Sequence, residues 1–310
     1  MSETIKSFDQ LLARAKALAG KSGAVRAALI GADDPIHLAS MARAAKEKII
    51  DPVLIGPQKA VEEIAENAGI DLAGLNLIAC DSRVSSVAEA VKLIAGGRVD
   101  LLVRGHISTG LMLARLFERP TGLRWNQHLI SHVAVFEHEL YPKLLLMSDG
   151  GVTVAPDINK KVSIIRNAVE VAGLLGVESP KVALLAAVEV IYTAMPVTME
   201  AAVISKMADK GQIKGCRIDG PLSMDVALVP EVARHKGAVS EVAGDADILI
   251  APNIETGTGI YKAMSIFAGA KTAGVIIGGR IPIAFSSRCD NEENVFNSLV
   301  LGALYSLGRE

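Results

Sequence analysis

No apolar run in this chain approaches the roughly 20 residues that a membrane span needs. The N-terminal stretch MSETIKSFDQLLARAKALAG mixes acids with bases and has no long apolar core, which is not the pattern of a secretory signal. A surplus of charge of one sign is also missing. A formal net charge of -2 gives no electrostatic reason to expect nucleic acid or a membrane surface as partner. Cysteine is scarce: Cys80, Cys216 and Cys289 stand far apart and form no C-x-x-C. Neither a zinc knuckle nor a disulfide framework follows, and a reduced, cytoplasmic compartment is expected. Aromatics make up only 4% of residues, although half the chain is hydrophobic. A core of Ala, Val, Ile and Leu is therefore expected, the profile of β-branched strands alternating with Ala-rich helices.

Alternation is what the sequence has. Phe8, Leu11, Leu12, Ala15 and Leu18 recur at helical spacing and predict an amphipathic surface helix ended by Gly20. Strands at 24–30, 53–55, 75–80 and 101–103 then alternate with helices at 35–49, 58–67 and 84–95. Short connections in a βαβαβαβ order predict a parallel sheet with helices on both faces. The rhythm changes at the polar, turn-rich PTGLRWNQ, where a domain boundary is placed. Two strands, 133–136 and 143–147, follow as a hairpin. Helix 160–175, strand 182–188 and helix 198–210 resume the alternation. A loop centred on Asp219-Gly220-Pro221, helix 225–236, strand 248–251, helix 259–270 and strand 273–277 complete it. At 310 residues the chain suits two domains or one large α/β unit.

Four stretches carry candidate chemistry. In Arg104-Gly105-His106-Ile107-Ser108-Thr109-Gly110, a strand end runs into a helix, with two glycines and two hydroxyls beside free backbone N–H groups. That suits a phosphate, and it equally suits an ordinary N-cap. In Asp219-Gly220-Pro221-Leu222-Ser223-Met224-Asp225, two carboxylates flank a turn, as metal ligands or as turn and cap. From Asn253 to Lys262 a strand runs through Glu255-Thr256-Gly257-Thr258-Gly259 into a helix, and Lys262 in its first turn is placed to reach an anion or solvent. In Gly278–Asn294, Ser286, Ser287, Arg288, Cys289 and Asp290 stand in a row before the last helix, 295–307, with Asp290 or Asn291 as its cap. Cys289 reads as a small packing residue, its thiolate favoured by Arg288 if it ionises. The six histidines show no ligand spacing; His128 and His132 are placed to share a helix face and read as structural. None of these stretches is a Walker motif or a G-x-G-x-x-G fingerprint.

Longer segments carry a resemblance. GLRWNQHLISHVAVFE, LMSDGGVTVAPDINKKVSIIRNAV, PKVALLAAVE, KMADKGQIKGCRIDGPLSMDVAL, VAGDADILIAPNIETGTGIYKAM and IPIAFSSR together resemble the phosphate acetyltransferase/phosphate butyryltransferase family. SHVAVFE and GQIKGCRIDGPL look closer to the butyryl branch. The resemblance implies an acyltransferase that moves a short acyl group, acetyl or butyryl, between coenzyme A and inorganic phosphate. It implies two α/β domains with mainly parallel sheets, isocitrate/isopropylmalate dehydrogenase-like, with the active site in the cleft between them. The expected domains are 1–130 with 283–310, and 131–282. A homodimer is implied, with coenzyme A, phosphate and acyl phosphate as partners and no further cofactor or metal. The family's serine–arginine pair falls on Ser287 and Arg288, and its Ser-Thr turn on Ser108 and Thr109. Asp290 and Glu293 are the nearby carboxylates for proton transfer, while Arg104, Asp219, Asn253, Thr256 and Lys262 are expected to hold substrate. Where acetyltransferases place an aspartate six residues after the arginine, this chain has Asn294, and the family's second asparagine in N-x-G-N-x-x-Y-K is Thr258. Two other readings are a metal-dependent decarboxylating dehydrogenase of related fold, with Asp219, Asp225, Asp245 and Asp247 as ligands, and a non-catalytic binding protein for coenzyme A or acyl phosphate.

Overall fold

Short crossovers between apolar strands produce the expected α/β arrangement in a computed structural model that describes residues 3–118, 121, 123 and 129–308. The first run of elements is α1 (Phe8–Ser22), β1 (Val25–Ile30), α2 (Pro35–Lys46), β2 (Ile50–Gly56), α3 (Gln58–Ala68), β3 (Asn76–Ala79), α4 (Arg83–Ala95), β4 (Leu101–Arg104) and α5 (Thr109–Leu116). The middle run is β5 (Ser131–Glu137), β6 (Leu145–Ser148), α6 (Ile158–Leu174), β7 (Lys181–Leu185), α7 (Pro196–Asp209), β8 (Arg217–Leu222), α8 (Met224–Leu228), α9 (Pro230–His235), β9 (Ile248–Ile250) and α10 (Ile254–Lys262). The chain ends with β10 (Lys271–Ile277), β11 (Ile283–Ala284) and α11 (Glu292–Leu307).

By packing, the chain divides into two units, Phe8–His128 with Lys271–Glu310, and Met1–Ser7 with Leu129–Ala270. The chain returns to the first of these at Lys271, upstream of the expected 283, because β10 pairs with β11 and packs on α11.

In the unit holding both ends of the helical series, the strand order is β3-β2-β1-β4-β11-β10. All neighbours are parallel except β10 and β11. From β1 the chain turns one way to β2 and β3, then crosses back to place β4 on the other side. The gap between β1 and β4 is therefore a topological switch point, where the loops leaving adjacent strands diverge and open a crevice at their carboxyl ends. Helix α11 is the centre of this unit, buried from Asn294 to Tyr305. Its polar side chains serve the strand beneath it: Asn294 Oδ1 accepts from the Thr272 N–H at 2.9 Å, and Ser298 Oγ from the Gly274 N–H at 3.0 Å. Helix starts follow capping chemistry. Asp34 accepts from the His37 N–H with Pro35 at the first helical position, and Ser82 forms a capping box with Ser85. Helix α1 runs past Gly20 to Ser22, with Phe8, Leu11, Ala15 and Ala19 as its buried stripe.

The other unit has the order β5-β6-β9-β7-β8, with β5 and β6 antiparallel and the rest parallel. The expected hairpin is thus present. Several expectations change here. Asp219-Gly220-Pro221 is not a loop but the body of β8. Pro230 cannot donate to the preceding turn, so the helix expected at 225–236 is broken into α8 and α9. The Gly-rich stretch after β9 is helical from Ile254, because Asn253 caps it by accepting from the Thr256 N–H at 2.9 Å. Lys262 therefore lies in the last turn of α10, not the first, and a single π turn, Ala263–Phe267, follows it. His132 lies in β5 rather than on a helix, and His128 is outside the described residues, as is most of the PTGLRWNQ boundary segment.

Candidate active site

Three strand ends converge at the switch point. The loops after β1, β4 and β11 enclose a cavity of about 490 Å³ lined by Asp34, His37, Arg83, Arg104, His106, Ser108, Ser287, Arg288 and Asp290, among others. Backbone closeness makes this possible. A Cβ at Gly105 would lie 2.4 Å from the Gly31 carbonyl oxygen and 2.8 Å from that of Ile30, so only glycine lets the β4 loop lie against the β1 loop. Gly31 takes a positive φ of 69°, which turns its chain beneath His106.

Arg104 is the strut of the cavity. It is buried, and it donates from Nη1 to the Ile107 carbonyl at 3.0 Å and from Nη2 to the Ser286 carbonyl at 2.6 Å. Its guanidinium carbon sits 4.9 Å from the Phe285 ring centroid, a cation–π arrangement. Among the described residues the Nε group has no hydrogen-bond partner. Burial pulls its pKa below the ordinary value. The Arg288 charge lowers it further, and the Asp290 and Asp34 carboxylates oppose that. Arg104 thus holds the β4 loop and the residue before Ser287 together, at the cost of a desolvated positive charge.

The turn itself is self-bracing. Asp290 Oδ2 accepts from the Ser287 N–H at 2.6 Å, and the Asp290 N–H donates to the Ser287 carbonyl at 3.1 Å. Asn291, not Asp290, caps α11, accepting from the Asn294 N–H. Asp290 is buried and Arg288 exposed, so a carboxylate lies beneath the turn and a guanidinium extends from it. Glu293 does not line this cavity; its carboxylate pairs with Arg43 Nη1 at 2.5 Å. Asn294 is occupied by the Thr272 N–H, which gives it a structural task in β10. Ser108 lines the cavity and caps α5 by accepting from the Leu111 N–H at 3.3 Å. Thr109, the first residue of that helix, does not line it. Cys289, expected as a packing residue, is exposed, with Sγ 3.1 Å from Ser287 Oγ.

Four expected residues lie in the other unit. Asp219 Oδ1 accepts from the Gly220 N–H at 2.8 Å, Asn253 caps α10, Thr256 donates its N–H to that cap, and Lys262 is exposed. The aspartates weighed as metal ligands do not gather. Asp245 and Asp247 share Lys143, and Asp225 bonds Ser223 and Lys236. Among the described residues no group of three or more His, Cys, Asp or Glu side chains is placed to hold a metal.

Against known families, the chain matches the model described as Phosphate acetyl/butaryl transferase over residues 79–303. The chain belongs to the phosphate acetyl/butyryl transferase family. It is 39% identical to the phosphate butyryltransferase of Clostridium acetobutylicum over 300 residues, covering 97% of this chain and 98% of that one. It is also 39% identical to the phosphate acetyltransferase of Thermotoga maritima over 279 residues, 90% of this chain and 94% of that one. A branched-chain phosphotransacylase from Enterococcus faecalis V583 aligns with a TM-score of 0.79 and 29% identity, covering 91% of this chain and 99% of that one. This phosphate acyltransferase is thus an enzyme of acetyl or butyryl transfer, and its family implies coenzyme A and acyl phosphate as substrates. No described helix is long and apolar enough to cross a membrane.

Sequence reasoning missed the β1 loop of this phosphate acyltransferase. Asp34 and His37 line the cavity, joined by Arg83 and His106 at its rim, where Asp33 Oδ2 lies 3.4 Å from Arg83 Nη2 and 3.1 Å from His106 Nδ1. The signal was present. Asp34-Pro35 marks a helix start directly after the strand that the switch point is built on.

Proposed function

We propose that this chain moves an acetyl or butyryl group between coenzyme A and inorganic phosphate, with the phosphoryl group held in the β1–β4–β11 cavity by Ser108, Ser287 and Arg288. The observation that carries the reading is the convergence of Ser108, Ser287, Arg288 and Asp290 on one cavity from two loops separated by most of the chain. In the direction of acyl phosphate formation, a phosphate oxygen attacks the thioester carbonyl carbon. The C–S bond then breaks, and the leaving thiolate of coenzyme A takes a proton. In reverse, the thiolate attacks the acyl phosphate carbonyl and the C–O bond to phosphate breaks. Arg288 offers a planar fork to phosphate oxygens, and the Ser287 hydroxyl donates to the thiolate or to the developing oxyanion. A thiol of pKa about 8.5 needs an acceptor for its proton. Asp290 is the carboxylate under the turn and takes this role in preference to Glu293, which is occupied by Arg43. Arg104 contributes charge to the phosphate site while bracing the loops.

Thr109 belongs to the same reading through the first-turn N–H groups of α5, and Asp219, Asn253, Thr256 and Lys262 belong to it as contacts to coenzyme A. So do a fold of the isocitrate/isopropylmalate dehydrogenase type, a cytoplasmic location and a homodimer. Exposed Val190, Ile191, Tyr192, Met199 and Val203 in one unit are apolar surface for a second copy to cover, which light scattering checks. The deciding experiment is thiol release from acetyl-, propionyl- and butyryl-CoA with phosphate, run with Arg288→Lys beside the wild type. Phosphate-dependent release that collapses in a folded Arg288→Lys variant supports the reading, and near-wild-type release removes Arg288 from it.

A further inference from the structure

We propose that Asp34 and His37 act as a positioning pair for the Ser287–Arg288 turn, gripping it through the buried hydroxyl of Ser286. This rests on the reading that Ser287 and Arg288 serve the reaction. The three residues form one hydrogen-bonded chain. Asp34 Oδ1 lies 2.9 Å from His37 Nδ1, and His37 Nε2 lies 3.1 Å from Ser286 Oγ. The same Asp34 oxygen accepts from the His37 backbone N–H at 3.0 Å, so one carboxylate fixes both the helix start and the ring.

Chemistry sets the direction of each bond. The Asp34 carboxylate can only accept, so His37 Nδ1 carries the hydrogen. In the neutral ring Nε2 is then an acceptor, and the Ser286 O–H donates to it. Ser286 is held at its main chain too, since its carbonyl takes the Arg104 guanidinium. The residue before Ser287 is therefore fixed from the β1 side by His37 and from the β4 side by Arg104. A buried serine needs only a backbone carbonyl to satisfy its hydroxyl. Here it meets a titratable ring that lines the cavity and is oriented by a carboxylate, the arrangement by which enzymes orient a working group.

The other charged and titratable groups lining the cavity are Arg83, Arg104, His106, Arg288 and Asp290, with Asp33 behind His106.

The test compares His37→Gln, Asp34→Asn, Ser286→Ala and the double variant His37→Gln/Ser286→Ala with wild type, alongside Arg288→Lys. Thiol release with butyryl-CoA and phosphate is measured from pH 5 to 9 (about that range spans histidine titration). Running all variants in the same buffers cancels the ionisation of phosphate itself. Each single variant should lose about tenfold in kcat, with the KM for butyryl-CoA little moved. The double variant should lose no more than either single change, because both remove the same link. Asparagine caps helices as well as aspartate does, so Asp34→Asn stays informative if His37→Gln fails to fold. Wild-type turnover and pH profile in Ser286→Ala and Asp34→Asn, with Arg288→Lys impaired, overturns this inference alone. Losses that multiply in the double variant overturn it too. An unimpaired Arg288→Lys instead overturns the reading of the turn on which it rests.

Discussion

Replacing Arg104 with methionine keeps an unbranched, flexible stem that ends short of the guanidinium, and removes the charge and every donor. Two buried carbonyls, those of Ile107 and Ser286, lose their partners. Hydrogen bonds from a charged donor contribute about 1.5–3 kcal/mol each, so about 3–6 kcal/mol of interaction disappears. Part of that comes back, because methionine carries no desolvated charge, and burial is the main reason the Arg104 pKa is depressed. Relief of repulsion from Arg288 works the same way, while lost attraction to Asp290 and Asp34 opposes it. A net loss of about 3 kcal/mol is expected, midway between full loss of the bonds and full recovery of the burial cost. For a unit of this size each kcal/mol moves the melting temperature by about 2–4 °C, so a drop of about 6–12 °C follows.

Activity should fall as well, since the Ser286 carbonyl is one of the anchors of the turn that carries Ser287 and Arg288. Differential scanning calorimetry and phosphate-dependent thiol release on the same preparation separate the two effects. Arg104→Lys, which can satisfy one carbonyl at a time, should lie between. An Arg104→Met protein that melts within 2 °C of wild type (under about 1 kcal/mol by the same conversion) and turns over normally would refute the claim that this residue braces the cavity.

Other outcomes follow from the same geometry. Gly105→Ala must push its Cβ against the Gly31 and Ile30 carbonyl oxygens, and should cost about 2–4 kcal/mol in chemical unfolding with activity lost at the cavity. Asp34 has its pKa lowered from 3.8 to about 2 by its bond to His37. A depressed carboxylate stabilises the fold above its unfolded pKa and loses that contribution as pH falls through the folded value, so about 2 kcal/mol should vanish between roughly pH 4 and pH 2. Urea midpoints across that window should show a smaller acid-side drop in Asp34→Asn. Asn294→Asp should leave kcat within about threefold of wild type, because the side chain is held by the Thr272 N–H. A gain of tenfold or more in acetyl transfer would show that residue 294 reaches the reacting atoms after all.

Much of the fold was legible because its signals are local. Val25–Ile30, interrupted only by the exposed Arg26, and the run from Leu101 to Val103 before Arg104 are apolar, as strands covered on both faces must be. Asp34-Pro35 and Ser82–Ser85 announce their helices through the groups that cap them. The failures occurred where local composition pointed one way and a single hydrogen bond or a neighbouring strand pointed the other. The stretch up to Thr258, with its glycine at 257, suggested a turn and a helix starting only at Gly259, yet the Asn253 cap starts α10 at Ile254. Gly220-Pro221 suggested a turn, yet β7 pairs with β8 on either side of a register shift and keeps the segment in the sheet.

The same distinction separates what was visible at the cavity from what was not. Ser287 and Arg288 could be singled out because a hydroxyl and a guanidinium at a strand end have few structural uses. Arg104 was singled out too, but as a substrate contact. That two of its nitrogens are spent on main-chain carbonyls depends on which loop lies beside it, and the sequence holds no record of 182 residues of separation being closed. Asp34 and His37 were passed over for a related reason. Read locally, Asp34 is a complete explanation of itself as a cap, and His37 is an ordinary first-turn residue. Only the parallel pairing of β1 with β4, and of β4 with β11, brings Ser286 to the imidazole. A cap that also orients a ring, and a strut that also lends its charge, each satisfy a local rule while serving a distant one. Such residues escape a reading made from one chain segment at a time, and they are where this cavity differs from a row of three well-formed helix starts.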